Sequence, residues 1–420
     1  MTDPERSPAP VTVPVLSRRG ATSVAAASGL AAVASYGVLV IAARTLSPAS
    51  NADFLAFWAA LFGLFGVLGG TQNEATRAVR NALRHPLARG PRVLGLNLLI
   101  GALLAGAVGV SAPLWAGAVF AWDPPLSVLI LCLAIVAFAG HSGLAGALSG
   151  QGRWTAFAGL VSLEATMRFA IVGVVAIAGA TMAGLEAAAA AAAASWLLLI
   201  GVSSSVRAAT SARADVPARA YLRRAGQAMV AAASSAIIIV GFPVLLRLTT
   251  PDAAYALAAP LILAVSLTRA PLLIPLGAYQ GVAITHFLAH PDDGLRSLRR
   301  LAGMLVAAGA VGAAAAYVVG PTLMVLLFGR DYRVDGLVLA GLTLSAVMLA
   351  LLTLTGAATL ALDRHTAYSA GWLLATATSI GLLLLPCSIE LRTVLSLALG
   401  PVVGLVVHSA ALRRGAPGAR

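Results

Sequence analysis

Long apolar runs alternate with short polar stretches along the chain, and twelve of the runs approach the roughly 20 residues that a helix needs to cross about 30 Å of hydrocarbon. The predicted spans are 22–43, 53–72, 93–118, 126–148, 155–179, 185–206, 225–246, 253–288, 301–327, 337–361, 366–386 and 393–411. A barrel would be written as short alternating segments, so the fold class is an all-α polytopic membrane protein. The eighth run is too long for one straight crossing and contains Pro260, Pro271 and Pro275. It predicts a kinked helix whose freed carbonyls face protein or water.

A short polar motif between spans one and two is repeated between spans seven and eight. In "ARTLSPASNADF" and "LRLTTPDAAYAL", Arg44, Ser47 and Pro48 match Arg247, Thr250 and Pro251 at an offset of 203 residues. A second match, "GRWTAFA" from Gly152 and "DRHTAYS" from Asp363, aligns Arg153, Thr155, Ala156 and Phe157 with Arg364, Thr366, Ala367 and Tyr368 at an offset of 211. Each match falls at the same step of a six-span unit. The chain therefore reads as two six-helix bundles, 21–212 and 213–412, related by a pseudo-two-fold axis along the membrane normal, with tails at 1–20 and 413–420. A substrate site is expected where the halves meet. Proline in each hinge stops one helix and starts the next, giving a tight turn.

Composition agrees with a membrane protein: 60% of residues are hydrophobic and 10% charged, against about a quarter charged in soluble chains. The net charge of +13 comes from 28 arginines and no lysine. These arginines are spread among short loops rather than gathered on one face, so nucleic acid is not the expected partner. Of the 28, 21 fall on one side of the predicted spans, including Arg6, Arg18, Arg19, the group from Arg77 to Arg92, Arg153, the group from Arg207 to Arg224, Arg296 to Arg300, Arg364, Arg413, Arg414 and Arg420. The other side holds Arg44, Arg247, Arg330, Arg333 and Arg392 with acids such as Asp53, Asp123, Asp252 and Glu390. The positive-inside rule then puts both termini in the cytoplasm of a cell (plasma) membrane protein. The proline-rich first 20 residues read as a disordered tail followed by an uncleaved first helix. No loop is long enough for a separate soluble domain.

Charges inside spans are costly and mark candidate sites. Glu164 and Arg168 in "SLEATMRFA" lie one turn apart on one helix face near the bilayer midplane. They read either as a self-neutralised pair packing the bundle or as a pair lining a wet cavity. Arg269 in "LTRAPLLIP" has no acid within a turn, so it faces a cavity or a partner on another helix; the favoured role is contact with a phosphate or carboxylate of the substrate. Glu74 and Arg77, in "TQNEATRAVR", form either a solvated helix end or an inner gate. His141 and His286 read as ordinary hydrogen-bonding side chains, with proton coupling as the alternative. Cys132 and Cys387 sit in apolar runs without metal or disulfide spacing and read as buried small hydrophobes. The run Ala187 to Ala194 reads as a close-packed helix face. No phosphate-binding loop is present, and neither enzymatic activity nor a metal or cofactor is expected.

The segments "AARTLSPASNADFLAF", "LSGQGRWTAFAGLVSLEATMRF" and "LLFGRDYRVDG" resemble the MOP flippase superfamily, in particular its transporters of lipid-linked oligosaccharides. The resemblance covers nearly the whole chain. It implies two bundles around a central cavity that alternates its access and carries a polyprenyl-diphosphate-linked glycan from the inner to the outer leaflet. It also implies a role for Arg269 on the diphosphate; Glu164 and Arg168 are expected to line the cavity, and the sharper reading of Glu74 and Arg77 is an inner gate or substrate-entry site. Span one departs from the resemblance, since it has no charged residue between Ala21 and Ala43. The function expected is flipping of a lipid-linked saccharide, driven by an ion gradient or the membrane potential, by a monomer that works beside glycan-synthesis enzymes. The alternatives are a multidrug or small-solute antiporter of the same superfamily and a non-transporting scaffold for glycan synthesis.

Overall fold

A computed structural model describes residues 18–84, 90–289, 291–362 and 364–413, in backbone terms alone for 18, 274, 275, 277–289 and 291–297. Expectations for the tails, for Arg6, Arg89, Arg414, Arg420 and Asp363, and for the side chains of Arg18, His286 and Arg296 lie outside the described residues. The described chain is helical, with one isolated bridge between Arg92 and Arg213.

The first half comprises α1 (Arg18–Thr45), α2 (Pro48–Arg84), α3 (Val93–Val119), α4 (Pro124–Gly150), α5 (Trp154–Gly179) and a sixth span built from α6 (Met182–Ala191) and α7 (Trp196–Val202). These last two are joined by a 3₁₀ turn, Ala192–Ala194, within the predicted alanine face, and α8 (Ser204–Ala209) follows. The second half has α9 (Ala218–Ile239), α10 (Phe242–Leu248), α11 (Asp252–Tyr255), α12 (Ala259–Ala289), α13 (Pro291–Phe328), α14 (Gly336–Ala361), α15 (His365–Leu383) and α16 (Ile389–Arg413).

Among the described residues nine helices are long and apolar enough to cross a bilayer, ten when α9 and α10 count as one span bent by 68°. The partly described α12 and the more polar α15 complete twelve passes in the predicted order. The protein is thus an all-α polytopic membrane protein of two bundles.

A sharp bend lies in the seventh span, where none was expected, and one expectation, for the cysteines, needs correction. The chain breaks at Val240–Gly241, and Pro243 in the first turn of α10 has no N–H to continue the helix. The eighth span is one helix from Ala259, with Pro260 in its first turn and α11 split off before it. Cys387 is exposed and Cys132 half-buried, because α15 ends at Leu383, ahead of Pro386, and leaves Cys387 in the turn that follows.

The repeat is visible in the geometry. Arg153 and Arg364 take nearly the same backbone angles before α5 and α15, φ/ψ −83/60 and −92/57. Each sends its guanidinium to a carbonyl near the end of its own half, Ser205 and Ala411. The two hinges pack against each other: Ala52, Leu55 and Ala56 share one core with Tyr255, Ala258 and Ala259, their counterparts 203 residues on.

Small residues set the helix spacing, as membrane packing requires. A Cβ on Gly146 of α4 would lie 2.4 Å from that of Ala75 on α2, and one on Gly70 of α2 would lie 2.5 Å from the Ala228 backbone of α9. Helix α9 therefore runs directly along the first half, and its Tyr221 and Ala225 belong to that half's core.

Candidate functional site

A cavity of about 270 Å³ lies between α1, α2, α9, α10 and α12. Ala32 and Tyr36 line it from α1, Leu55, Trp58 and Ala59 from α2, Ile239, Val240 and Pro243 from the broken seventh span, and Ser266, Arg269 and Leu273 from α12. Its walls are apolar and aromatic around one cation.

Arg269 is held there by the break in the seventh span. A helix end leaves carbonyls without partners, and Arg269 Nη1 donates to two of them, Ile238 O at 3.1 Å and Ile239 O at 2.9 Å. The guanidinium lies over the Phe242 ring, 5.7 Å from its centre. It is 8% exposed and forms no salt bridge among the described residues. Nearby, the Tyr36 hydroxyl donates to Ser266 O across the two halves at 2.7 Å. The carbonyls orient Arg269 without neutralising it, so its charge remains available to an anion entering the cavity.

Glu164 and Arg168 are in a different place. Both are buried within the first half, and Arg168 grips both carboxylate oxygens through Nη1 and Nη2. Its Nε donates to Ala189 O at 2.9 Å, and its guanidinium covers the Phe62 ring at 4.7 Å. Neither residue lines the Arg269 cavity. One aromatic layer separates the two sites, because Phe62 stands 4.5 Å from Trp58 of the cavity wall. His141 stacks on Phe138, which stacks on Phe65, and so continues this aromatic layer.

Glu74 and Arg77 do pair, with Arg77 Nε 2.8 Å from Glu74 Oε2. Arg77 also binds Asp215, just ahead of α9, through Nη1 at 2.9 Å and Nη2 at 3.1 Å, and Asn81 adds a contact to the same carboxylate. The end of α2 is thereby tied to the segment connecting the two halves. Burial opposes ionisation of Asp215, but the hydrogen bond and charge of Arg77 outweigh it and hold the carboxyl below its ordinary range. A depressed carboxylate contributes stability above its unfolded-state value and loses it as pH falls through the folded one. Asp215→Asn is therefore expected to lower stability at neutral pH by about 1 kcal/mol, given that Arg77 is partly solvated. In thermal unfolding, wild type and variant should converge in acid.

Two features had no prominent sequence signal. Asp215 lies 138 residues from Arg77. Glu186 of α6 is 3% exposed, accepts a hydrogen bond from Ser127 Oγ at 2.8 Å and pairs with no cation among the described residues. Its place as the one acid bordering the alanine run was the available clue.

No protein-family model matches the chain. The chain is 41% identical over 416 residues to Uncharacterized protein Rv1510 of Mycobacterium tuberculosis, covering 99% of this chain and 96% of that protein. It is 40% identical over 401 residues to Uncharacterized protein Rv3630 of the same organism, covering 93% and 91%. Among solved structures, it superposes on an outward-facing multidrug resistance MATE family transporter of the MOP superfamily with a TM-score of 0.67 at 13% identity, over 94% of this chain and 95% of that one. A MOP superfamily transporter from Pyrococcus furiosus, described as having reverse polarity in its binding pocket, gives 0.67 at 12% identity over 94% and 97%. The chain belongs to the same family as these mycobacterial proteins, and it has the fold of the MOP superfamily transporters.

Proposed function

We propose that the protein carries a polyprenyl-diphosphate-linked saccharide across the membrane by alternating access, with Arg269 holding the diphosphate. The observation that carries the reading is a single oriented cation, without an acidic partner among the described residues, facing a cavity between two transporter halves. A diphosphate offers several oxygens to a guanidinium, whose planar fork makes bidentate contacts that a lysine cannot. Nothing in this role calls for ATP, and an ion gradient or the membrane potential supplies the drive. In the same proposal the hinges face outward, both termini are cytoplasmic and the substrate moves from the inner to the outer leaflet of the plasma membrane, where glycan-synthesis enzymes are its neighbours. Glu164 and Arg168 then serve as the rigid backing of the cavity wall, and Glu74 and Arg77 anchor the inner end of α2.

The apolar and aromatic lining, with Trp58 and Tyr36 beside Arg269, favours a second reading, an antiporter of drugs or small amphipathic solutes. Inactivating the gene separates the two. The first reading expects loss of a surface glycan with unchanged drug sensitivity; heightened drug sensitivity with an intact surface would replace it by the second.

A further inference from the structure

We infer that Arg44, Asn51 and Tyr332 form a latch that closes the hinge face of the molecule, and that α13 is a part of this gate. Helix α13 ends at Phe328, followed by Gly329 at φ +119, a left-handed stop open mainly to glycine. The last carbonyls of such a helix lack partners in their own chain segment and carry the negative end of its dipole. Arg44, from the first hinge, supplies the partners: Nε donates to Leu327 O at 3.0 Å and Nη2 to Leu326 O. A residue of the first half thus caps a helix of the second, and the cap exists only while the halves are together.

Two more contacts cross the same seam. Asn51 Nδ2 donates to the Tyr332 hydroxyl at 3.1 Å, both residues being buried. Tyr255 donates to Ala52 O at 3.1 Å, joining positions 203 residues apart that are equivalent in the repeat. The repeat partner of Arg44 has another task, since Arg247 pairs with Asp252 of its own hinge at 2.9 Å and covers the Tyr255 ring. The latch is therefore one-sided: of the two matched arginines, Arg44 crosses the seam. Opening the hinge face would strand the α13 carbonyls and the Asn51 amide together, so the contacts break as a unit.

The inference depends on two halves that move and not on the identity of the substrate. It is tested by pulsed electron–electron double resonance on protein in lipid nanodiscs, with spin labels at Ala49→Cys and Arg333→Cys after Cys132→Ala and Cys387→Ala. The parent is expected to show one short distance across the seam. Arg44→Ala is expected to raise the population of a longer distance about tenfold or more. Tyr332→Phe, which removes one hydroxyl and leaves the core filled, is expected to raise it less. Asp215→Asn, at the other end of the halves, should leave it unchanged. A distribution unaltered by both hinge-face variants, or altered as much by Asp215→Asn, overturns the latch.

Discussion

Replacing Arg168 by alanine is expected to destabilise the protein by about 3–5 kcal/mol, the largest effect of any single change considered, because it leaves the Glu164 carboxylate buried without its cation. The Arg168 side chain is 3% exposed and that of Glu164 11%, so water does little to compensate. The Ala189 carbonyl and the Phe62 ring face lose their partner in the same step. Removing both charged groups is cheaper than removing one, since no uncompensated ion remains. Thermal unfolding of detergent-solubilised protein should therefore rank wild type above the Glu164→Ala/Arg168→Ala double variant, and the double variant above Arg168→Ala. If the single and double variants unfold together, the pair is not acting as a coupled ion pair.

The second large effect is functional. Arg269→Ala is expected to reduce flipping of a lipid-linked saccharide by about 100-fold, the loss of one charge-assisted, two-pronged contact, while the protein remains in the membrane in normal amount. Arg269 contributes less to folding than Arg168, because its partners are two carbonyls and a ring rather than a buried carboxylate. Arg269→Lys keeps the charge but not the fork, so it should fall between wild type and alanine. A leaflet-specific assay in proteoliposomes reads the rate, and membrane immunoblots read the amount. Normal flipping by Arg269→Ala would remove this residue from the proposed mechanism.

Much of this organisation is legible in the chain because the bilayer imposes it. Apolar runs have to be long, and an arginine within one has to be accounted for. The hinges are readable because Pro48 and Pro251 bring the same turn chemistry to equivalent places. Arg269 and the Glu164–Arg168 pair also stand out, but the sequence alone leaves undecided which of them faces the space between the halves. That depends on how α2 and α5 are rotated: Trp58 and Phe62, one turn apart on α2, together form the aromatic layer, Trp58 lining the cavity and Phe62 covered by Arg168. Contacts between distant segments leave no local pattern either. Asp215 with Arg77, Arg44 on the end of α13 and Asn51 with Tyr332 all depend on tertiary approach. The bend of the seventh span has a local sign in "VGFP", Val240 to Pro243, where Gly241 and Pro243 both disfavour a continued helix.

The same bend explains why the cavity holds a cation at all. An unbroken seventh span would use the Ile238 carbonyl within its own helix, whereas Pro243, four residues after Ile239, has no N–H to give the Ile239 carbonyl in either case. Broken at Val240, it offers them to Arg269 and leaves the guanidinium facing the space between the halves.

The central claim is that this space recognises a diphosphate on a lipid through Arg269. The most direct test is equilibrium binding of polyprenyl diphosphate and of the corresponding polyprenol to purified wild-type protein and to Arg269→Ala. The account predicts that wild type binds the diphosphate about 100-fold more tightly than the alcohol and that Arg269→Ala binds both alike. Equal affinity of wild type for the two lipids, or a preference for the diphosphate that survives in Arg269→Ala, would contradict it.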